Sequence, residues 1–243
     1  MKFGGTSVGE TDCIGRVADI VESHRSAGDE VAVVVSACSG VTDQIIAVTD
    51  EVMASKEQPR IETFLSTIRE RHLRLLNAVA PDHAREVAAV IDDRLTRLQN
   101  ILTAVHTLKE LTPRSRDYII SFGERLSAPI VCAALKQRGI PSVVLDGVEA
   151  GIVTTANHGD ARALPVSEER IRARVAPLLA DSVPVIMGFM GATEQGVVTT
   201  LGRSGSDYSA AVIGAGIDAD EIWIWTDVDG VMTSDPRIIK DAR

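Results

Sequence analysis

Four stretches of the sequence combine residue types that bind and move charged groups. Lys2-Phe3-Gly4-Gly5-Thr6-Ser7 puts an ammonium and two glycines just ahead of a helical pattern. Glycines there let backbone N–H groups approach an anion, and a helix N-terminus adds positive potential. A plain turn has the same appearance, and the chain has no G-x-x-x-x-G-K-[ST] phosphate loop. Gly202-Arg203-Ser204-Gly205-Ser206-Asp207 crowds a guanidinium and a carboxylate among small residues where a strand gives way to a helix. Arg203 can clamp a carboxylate or phosphate. Asp207 is either a first-turn partner of the helix dipole or the group that holds an ammonium in place, and Ser206 is read as the N-cap. Thr226-Asp227-Val228-Asp229-Gly230-Val231 leaves a strand at its carboxyl end with Arg237 close behind. Asp-Gly alone marks a turn, but a strand end is where open α/β sheets bind nucleotides. Phe122-Gly123-Glu124-Arg125 reads as a helix with an exposed ion pair, or, inside a cleft, as a glutamate for a substrate ammonium.

Other chemistries fit less well. Gly5-Thr6-Ser7-Val8-Gly9 matches a nucleophile elbow, but only six residues precede Ser7, too few for the central strand such an elbow needs. Gly214-Ala215-Gly216 with Ala219 imitates a dinucleotide fingerprint in reversed order, closing a helix and leading into a strand, so it is read as a C-cap. The histidines His24, His72, His83, His106 and His158 have no metal-ligand spacing and are read mostly as surface or helix-face residues, while Met53, Met187, Met190 and Met232 are read as packing. Cys13, Cys38 and Cys132 are odd in number and widely spaced, which suggests neither disulfides nor zinc and points to a reducing, cytoplasmic setting.

Composition bounds the rest. With 243 residues and 45% hydrophobic content the chain can bury a core, and aromatics at 3% favour layered helices and aliphatic strands over an aromatic-rich β-sandwich. A net charge of −9 argues against nucleic acid or an anionic membrane as partner, while allowing a focused basic pocket. No secretory h-region and no apolar run of about 20 residues is expected.

The elements that must position these groups follow from periodicity. Cys13, Val17, Ile20, Val21 and His24 mark a helix stopped by Gly28 before a buried strand at 31–35, and the loop Ser36-Ala37-Cys38-Ser39-Gly40 lies at its carboxyl end. Residues 61–108 read as two antiparallel helices separated at Pro81, and 118–136 as a third that Pro129 should kink or split. Strands at 142–145, 183–187, 197–200 and 221–225 alternate with helices near 167–179 and 206–213. That rhythm predicts one continuous α/β domain with a largely parallel sheet.

Taken in order, the blocks Lys2 to Val8, Val35-Ser36-Ala37-Cys38-Ser39-Gly40-Val41-Thr42, Ser121-Phe122-Gly123-Glu124-Arg125, Gly188-Phe189, Thr200-Leu201 with the Gly202 to Asp207 run, and Thr226 to Val231 resemble the aspartate kinases of the amino-acid kinase superfamily. The resemblance implies a three-layer αβα sandwich that moves the γ-phosphoryl group of ATP, with Mg²⁺, to the β-carboxylate of L-aspartate, giving 4-phospho-L-aspartate for lysine, threonine and methionine biosynthesis. By motif match Lys2 binds phosphate, Gly4, Gly5 and Ser7 line the phosphate loop, and Asp207 organises Lys2. Ser36, Thr42, Glu124 and Arg203 hold aspartate with Phe189 nearby, and Thr226, Asp227 and Arg237 contact ATP. It further implies a cytoplasmic enzyme, with room for a homo-oligomer, whose 1–243 stretch is a C-terminally shortened catalytic domain lacking ACT-type regulatory domains. Two positions depart from the family: Met232 replaces a usual tyrosine, and Ser204 a usual glycine, a mild change if its φ is negative.

Overall fold

The computed structural model describes residues 1–55 and 59–226. Asp227, Met232 and Arg237 lie outside them. Among the described residues five parallel strands form the main sheet: β1 (Lys2–Phe3), β2 (Val33–Val35), β3 (Ser142–Leu145), β4 (Val183–Met187) and β7 (Ile224–Trp225), in spatial order β3-β4-β2-β1-β7. The expected strand at 197–200 is not part of it. Instead β5 (Met190–Ala192) and β6 (Val198–Thr200) pair antiparallel as a separate ribbon.

Helices cover both faces of the sheet, giving the three-layer α/β sandwich. The strands carry continuous apolar runs because they are buried on both sides. Alternate residues serve different cores. Val33, Val35, Val183, Val185 and Met187 face a large cluster shared with α1 (Thr11–Ala27), α2 (Val41–Ala54), α3 (Ile61–Val79), α4 (Ala84–Leu108) and α6 (Phe122–Gln137). Val34 and Ile186 face a smaller cluster with Ala150 of α7 (Gly147–Ala150), Ile171 of α8 (Val166–Arg174) and Ala210 and Ile213 of α9 (Gly205–Gly216).

Helices α3 and α4 form the expected pair, with Pro81 in a 3₁₀ turn between them. Of the kink or split expected at Pro129, the split does not occur. The helix is interrupted at Ser121, between α5 (Pro113–Ile120) and α6, and runs unbroken through the proline. Pro129 has no N–H for the carbonyl of Arg125, and the Arg94 guanidinium donates to that carbonyl instead, so the lost backbone bond is replaced from a neighbouring helix. The 113–137 stretch is also long and apolar enough to cross a membrane, contrary to expectation, but 83% of its most apolar window is buried within the protein as its central helix.

Other local expectations shift. Gly214 and Gly216 lie within α9 and are not its C-cap. A Cβ on Gly216 would meet Ile171 at 2.6 Å and one on Gly214 would meet Ile222 at 2.5 Å, so both permit close packing. The helix near 167–179 ends at Arg174 and continues as a 3₁₀ turn at Ala176–Leu178. His72 is a helix-face residue on the apolar side of α3, wholly buried, and burial lowers its pKa to about 4.

Candidate active site

The turns after β1, β2 and β4 at the carboxyl end of the sheet and the starts of α6 and α9 build a single cleft. Lys2 sits on β1, held on one side by its N–H donating to Trp223 O at 2.7 Å and on the other by Val34 N–H donating to Met1 O at 2.8 Å. The turns after β1 and β2 are stitched together, since Ser39 N–H donates to Gly5 O at 3.0 Å and a Cβ on Gly5 would lie 2.9 Å from Ala37 O. From α3 the Arg71 guanidinium donates to Ser39 O (2.8 Å) and Gly9 O (3.4 Å), clasping both turns.

The cleft has a volume of about 390 Å³ and gathers Lys2, Gly5, Ser36, Thr42, Glu124, Phe189, Arg203 and Asp207. Gly4 and Ser7 are not on its wall. Ser7 N–H closes the turn on Gly4 O (3.0 Å), and a Cβ on Gly4 would lie 3.4 Å from Lys2 Nζ. Glycine at position 4 therefore keeps the space beside the ammonium open. Thr226 directly follows β7, the strand paired to β1 next to Lys2. Cys38 lines the cleft with its thiol engaged: it donates to Val8 O at 3.0 Å, and burial pushes its pKa up to about 12.

Lys2 Nζ pairs with Asp207 Oδ1 at 2.7 Å, the lysine side chain almost buried and the aspartate half-exposed. Asp207 occupies the first turn of α9, but the N-cap is Ser204 and not Ser206. Ser206 is buried against the β4 exit, where a Cβ on Gly188 would meet its Oγ at 3.0 Å. Ser204 has φ +55°, in the left-handed region that favours glycine, so this departure carries backbone strain. Phe189 is also left-handed, with φ +66°. Its N–H donates to Ser209 Oγ at 2.9 Å, which holds the ring segment over the start of α9.

Glu124 is not half of an exposed ion pair. It is buried at the start of α6, where a Cβ on Gly123 would collide with Ala37 at 2.6 Å, so glycine lets this helix seat against the β2 turn. Glu124 Oε1 accepts from Ala37 N–H at 3.1 Å, while Oε2 has no hydrogen-bond partner among the described residues. Burial raises its pKa to about 8, and the Ala37 hydrogen bond only partly opposes this. A buried carboxyl with one oxygen unsatisfied at a cleft wall is suited to a cationic ligand group. Arg125 turns the other way, toward Asp146 at 3.5 Å and over the Tyr118 ring. Arg203 is exposed at the rim and makes no hydrogen bond or ion pair among the described residues.

The sequence reading missed Asp117, His158 and Thr200, which meet behind the Arg203 segment. The available signal was a carboxylate at Asp117 in a run otherwise becoming apolar. Among the described residues no three His, Cys, Asp or Glu side chains converge as a metal set.

A parallel sheet with a lysine, a guanidinium and two carboxylates gathered at its carboxyl edge defines an α/β protein with its cleft where open sheets bind their ligands. The chain belongs to the amino acid kinase family, whose model matches residues 1–243. It is similar to an aspartate kinase of Pseudomonas putida (34% identity, covering all of this chain and 45% of the relative) and to an aspartokinase of Pseudomonas aeruginosa (35%, again all of this chain and 45%). Among solved structures it resembles E. coli aspartokinase III in complex with aspartate and ADP, with a TM-score of 0.83 and 30% identity over all of this chain and 52% of that one. The chain thus spans about half the length of these relatives.

Proposed function

We propose that the protein transfers the γ-phosphoryl group of ATP to the β-carboxylate of L-aspartate, giving ADP and 4-phospho-L-aspartate, as part of an aspartate kinase catalytic domain. The observation that carries this reading is the cleft itself: a Lys2–Asp207 pair at one wall and the buried, half-satisfied Glu124 at another, with Arg203 on the rim. The aspartate kinase relatives and the aspartate and ADP complex of E. coli aspartokinase III support it.

The chemistry asks little of the protein beyond placement. A β-carboxylate is ionised at neutral pH, so it attacks phosphorus without a general base. Arg203 forks onto a substrate carboxylate, and Glu124 receives the α-ammonium, with Ser36, Thr42 and Phe189 shaping the pocket. Lys2 neutralises charge on the transferred group, and Asp207 orients Lys2. Gly4, Gly5 and Ser7 form the turn beside the phosphates, while Thr226, Asp227 and Arg237 serve the nucleotide.

Mg²⁺ would supply further charge neutralisation on the phosphates. The described residues offer it no cage, which fits a cation carried by phosphate oxygens and water with one carboxylate at most, Asp207 being the one within the cleft near Lys2.

The test incubates the chain with MgATP and L-aspartate, L-glutamate or carbamate in turn, trapping acyl phosphate with hydroxylamine. Aspartate hydroxamate alone is the expected product. Glutamate hydroxamate or a product from carbamate identifies another kinase of the same fold, and nucleotide binding without any hydroxamate identifies a silent fragment.

A further inference from the structure

A second hollow of about 520 Å³ lies behind the substrate cleft, and the two share Asp43, Phe189, Gly202 and Arg203. The segment that carries Arg203 is therefore a partition with a cavity on each side. Such a thin wall needs an anchor, and the second hollow contains one.

Asp117, on α5, is 2% exposed and uses both carboxylate oxygens. Its Oδ1 accepts from Thr200 Oγ1 at 2.6 Å, at the end of β6 three residues before Arg203. Its Oδ2 faces His158 Nδ1 at 2.7 Å and accepts from Gly159 N–H at 3.2 Å, so it also grips the 157–160 turn. That turn abuts the Arg203 segment directly. Gly202 has φ +73°, and a Cβ there would strike Asp160 Oδ1 at 2.6 Å. Ala161 N–H donates to Thr200 O at 2.9 Å, closing the assembly from the far side.

We propose that Asp117 is a positioning residue for substrate recognition: with Thr200 and the His158 turn it fixes the partition so that the Arg203 guanidinium meets the substrate carboxylate. This rests on the aspartate reading of the cleft. A buried carboxylate with three donors is worth more than its parts, because removing any donor leaves charge unsatisfied in a low-dielectric setting. Its effect on the reaction passes through Arg203, so it falls on aspartate and spares the nucleotide.

The experiment compares Thr200→Val, Thr200→Ser and Asp117→Asn, each also in an Arg203→Ala background, by steady-state kinetics in both substrates. Thr200→Val is expected to raise KM for aspartate about tenfold, the size of one charge-assisted hydrogen bond, with KM for ATP nearly unchanged. Thr200→Ser restores it, and in the Arg203→Ala background Thr200→Val adds nothing. Equal changes in both KM values, or effects that add to those of Arg203→Ala, overturn the proposal. Tryptic cleavage after Arg203, followed by mass spectrometry, reads the clamp without relying on activity. It is expected to accelerate in Thr200→Val and Asp117→Asn while melting temperatures stay close to wild type, and unchanged cleavage overturns the clamp. A wild-type chain that makes no aspartate hydroxamate defeats the aspartate reading separately, and the cleavage rates still decide the clamp.

Discussion

Lys2 Nζ and Asp207 Oδ1 stand 2.7 Å apart, joining the central strand β1 to the first turn of α9 across the mouth of the cleft. The contact is an ion pair that holds the ammonium at the cleft wall. Lys2→Ala should therefore abolish most turnover while sparing the fold. The expected loss is about 3 kcal/mol in the barrier, the scale of one preorganised electrostatic contact. Measuring kcat and melting temperature together checks it, and near-normal kcat would remove Lys2 from the mechanism.

Asp207→Asn distinguishes an orienter from a base. The amide keeps the size but loses the charge that holds Lys2, so kcat/KM should fall at every pH, by about tenfold or more. The profile is measured with saturating MgATP. Loss of an enzyme limb with the plateau rate intact would instead make Asp207 the base.

Glu124 predicts a proton released on binding. Its pKa of about 8 keeps it protonated in the free protein at neutral pH, and a substrate ammonium beside Oε2 favours the ionised form. Calorimetry at pH 7 in buffers of different ionisation heat should show aspartate binding release a proton, an effect absent in Glu124→Gln. The same shift bears on stability. A folded pKa raised above the usual 4.5 contributes stability that is full below pH 4.5 and lost as pH rises through 8. Glu124→Gln should flatten that decline between pH 4.5 and 8 in urea unfolding, and an unaltered slope assigns it to other groups.

His72 predicts the acid side. It is buried and neutral, with Nδ1 on Ile68 O at 2.7 Å and Nε2 unpartnered among the described residues. Burial holds its pKa near 4 against 6.5, so the unfolded chain binds the extra proton between those values and stability falls as pH drops from 6.5 to 4. The slope should be about 1.4 kcal/mol per pH unit at most. His72→Leu should remove it, and a persistent slope would refute the assignment.

Ser204→Gly tests the strained cap. Relief of a left-handed serine is worth about 1–2 kcal/mol, offset by about 0.4–1 kcal/mol from the more flexible unfolded glycine. A modest net gain in urea midpoint is expected, and a loss would show that the serine side chain contributes more than its backbone costs.

Residue type carried much of the site into view. Lys2, Arg203 and Asp207 stood out as charged side chains among small residues at strand ends, but a turn and a helix-dipole partner read the same way in sequence, and only the fold brings the three to one cleft. Glu124 was visible as a candidate but its burial was not, since helix periodicity does not report a turn of β2 packed on the first residues of α6. Ser206 and Ser204 are equally good caps by composition, and only the contact of Ser206 with Gly188 decides between them. Pro129 misled because the group that rescues its helix, Arg94, comes from α4. The anchoring cluster at Asp117 was invisible for the same reason: its members come from three separate elements.

The stitched turns after β1 and β2 also bear on how such a chain can diverge. With Ser39 bonded to Gly5 and Arg71 clasping both loops, an added residue in either would displace the other and drag Lys2 with it. Length variation, the ordinary source of novelty in α/β folds, is thereby barred from these two turns. Insertions among descendants should collect instead at remote connections such as 109–112, where an exposed link between α4 and α5 can lengthen without disturbing a single cleft residue.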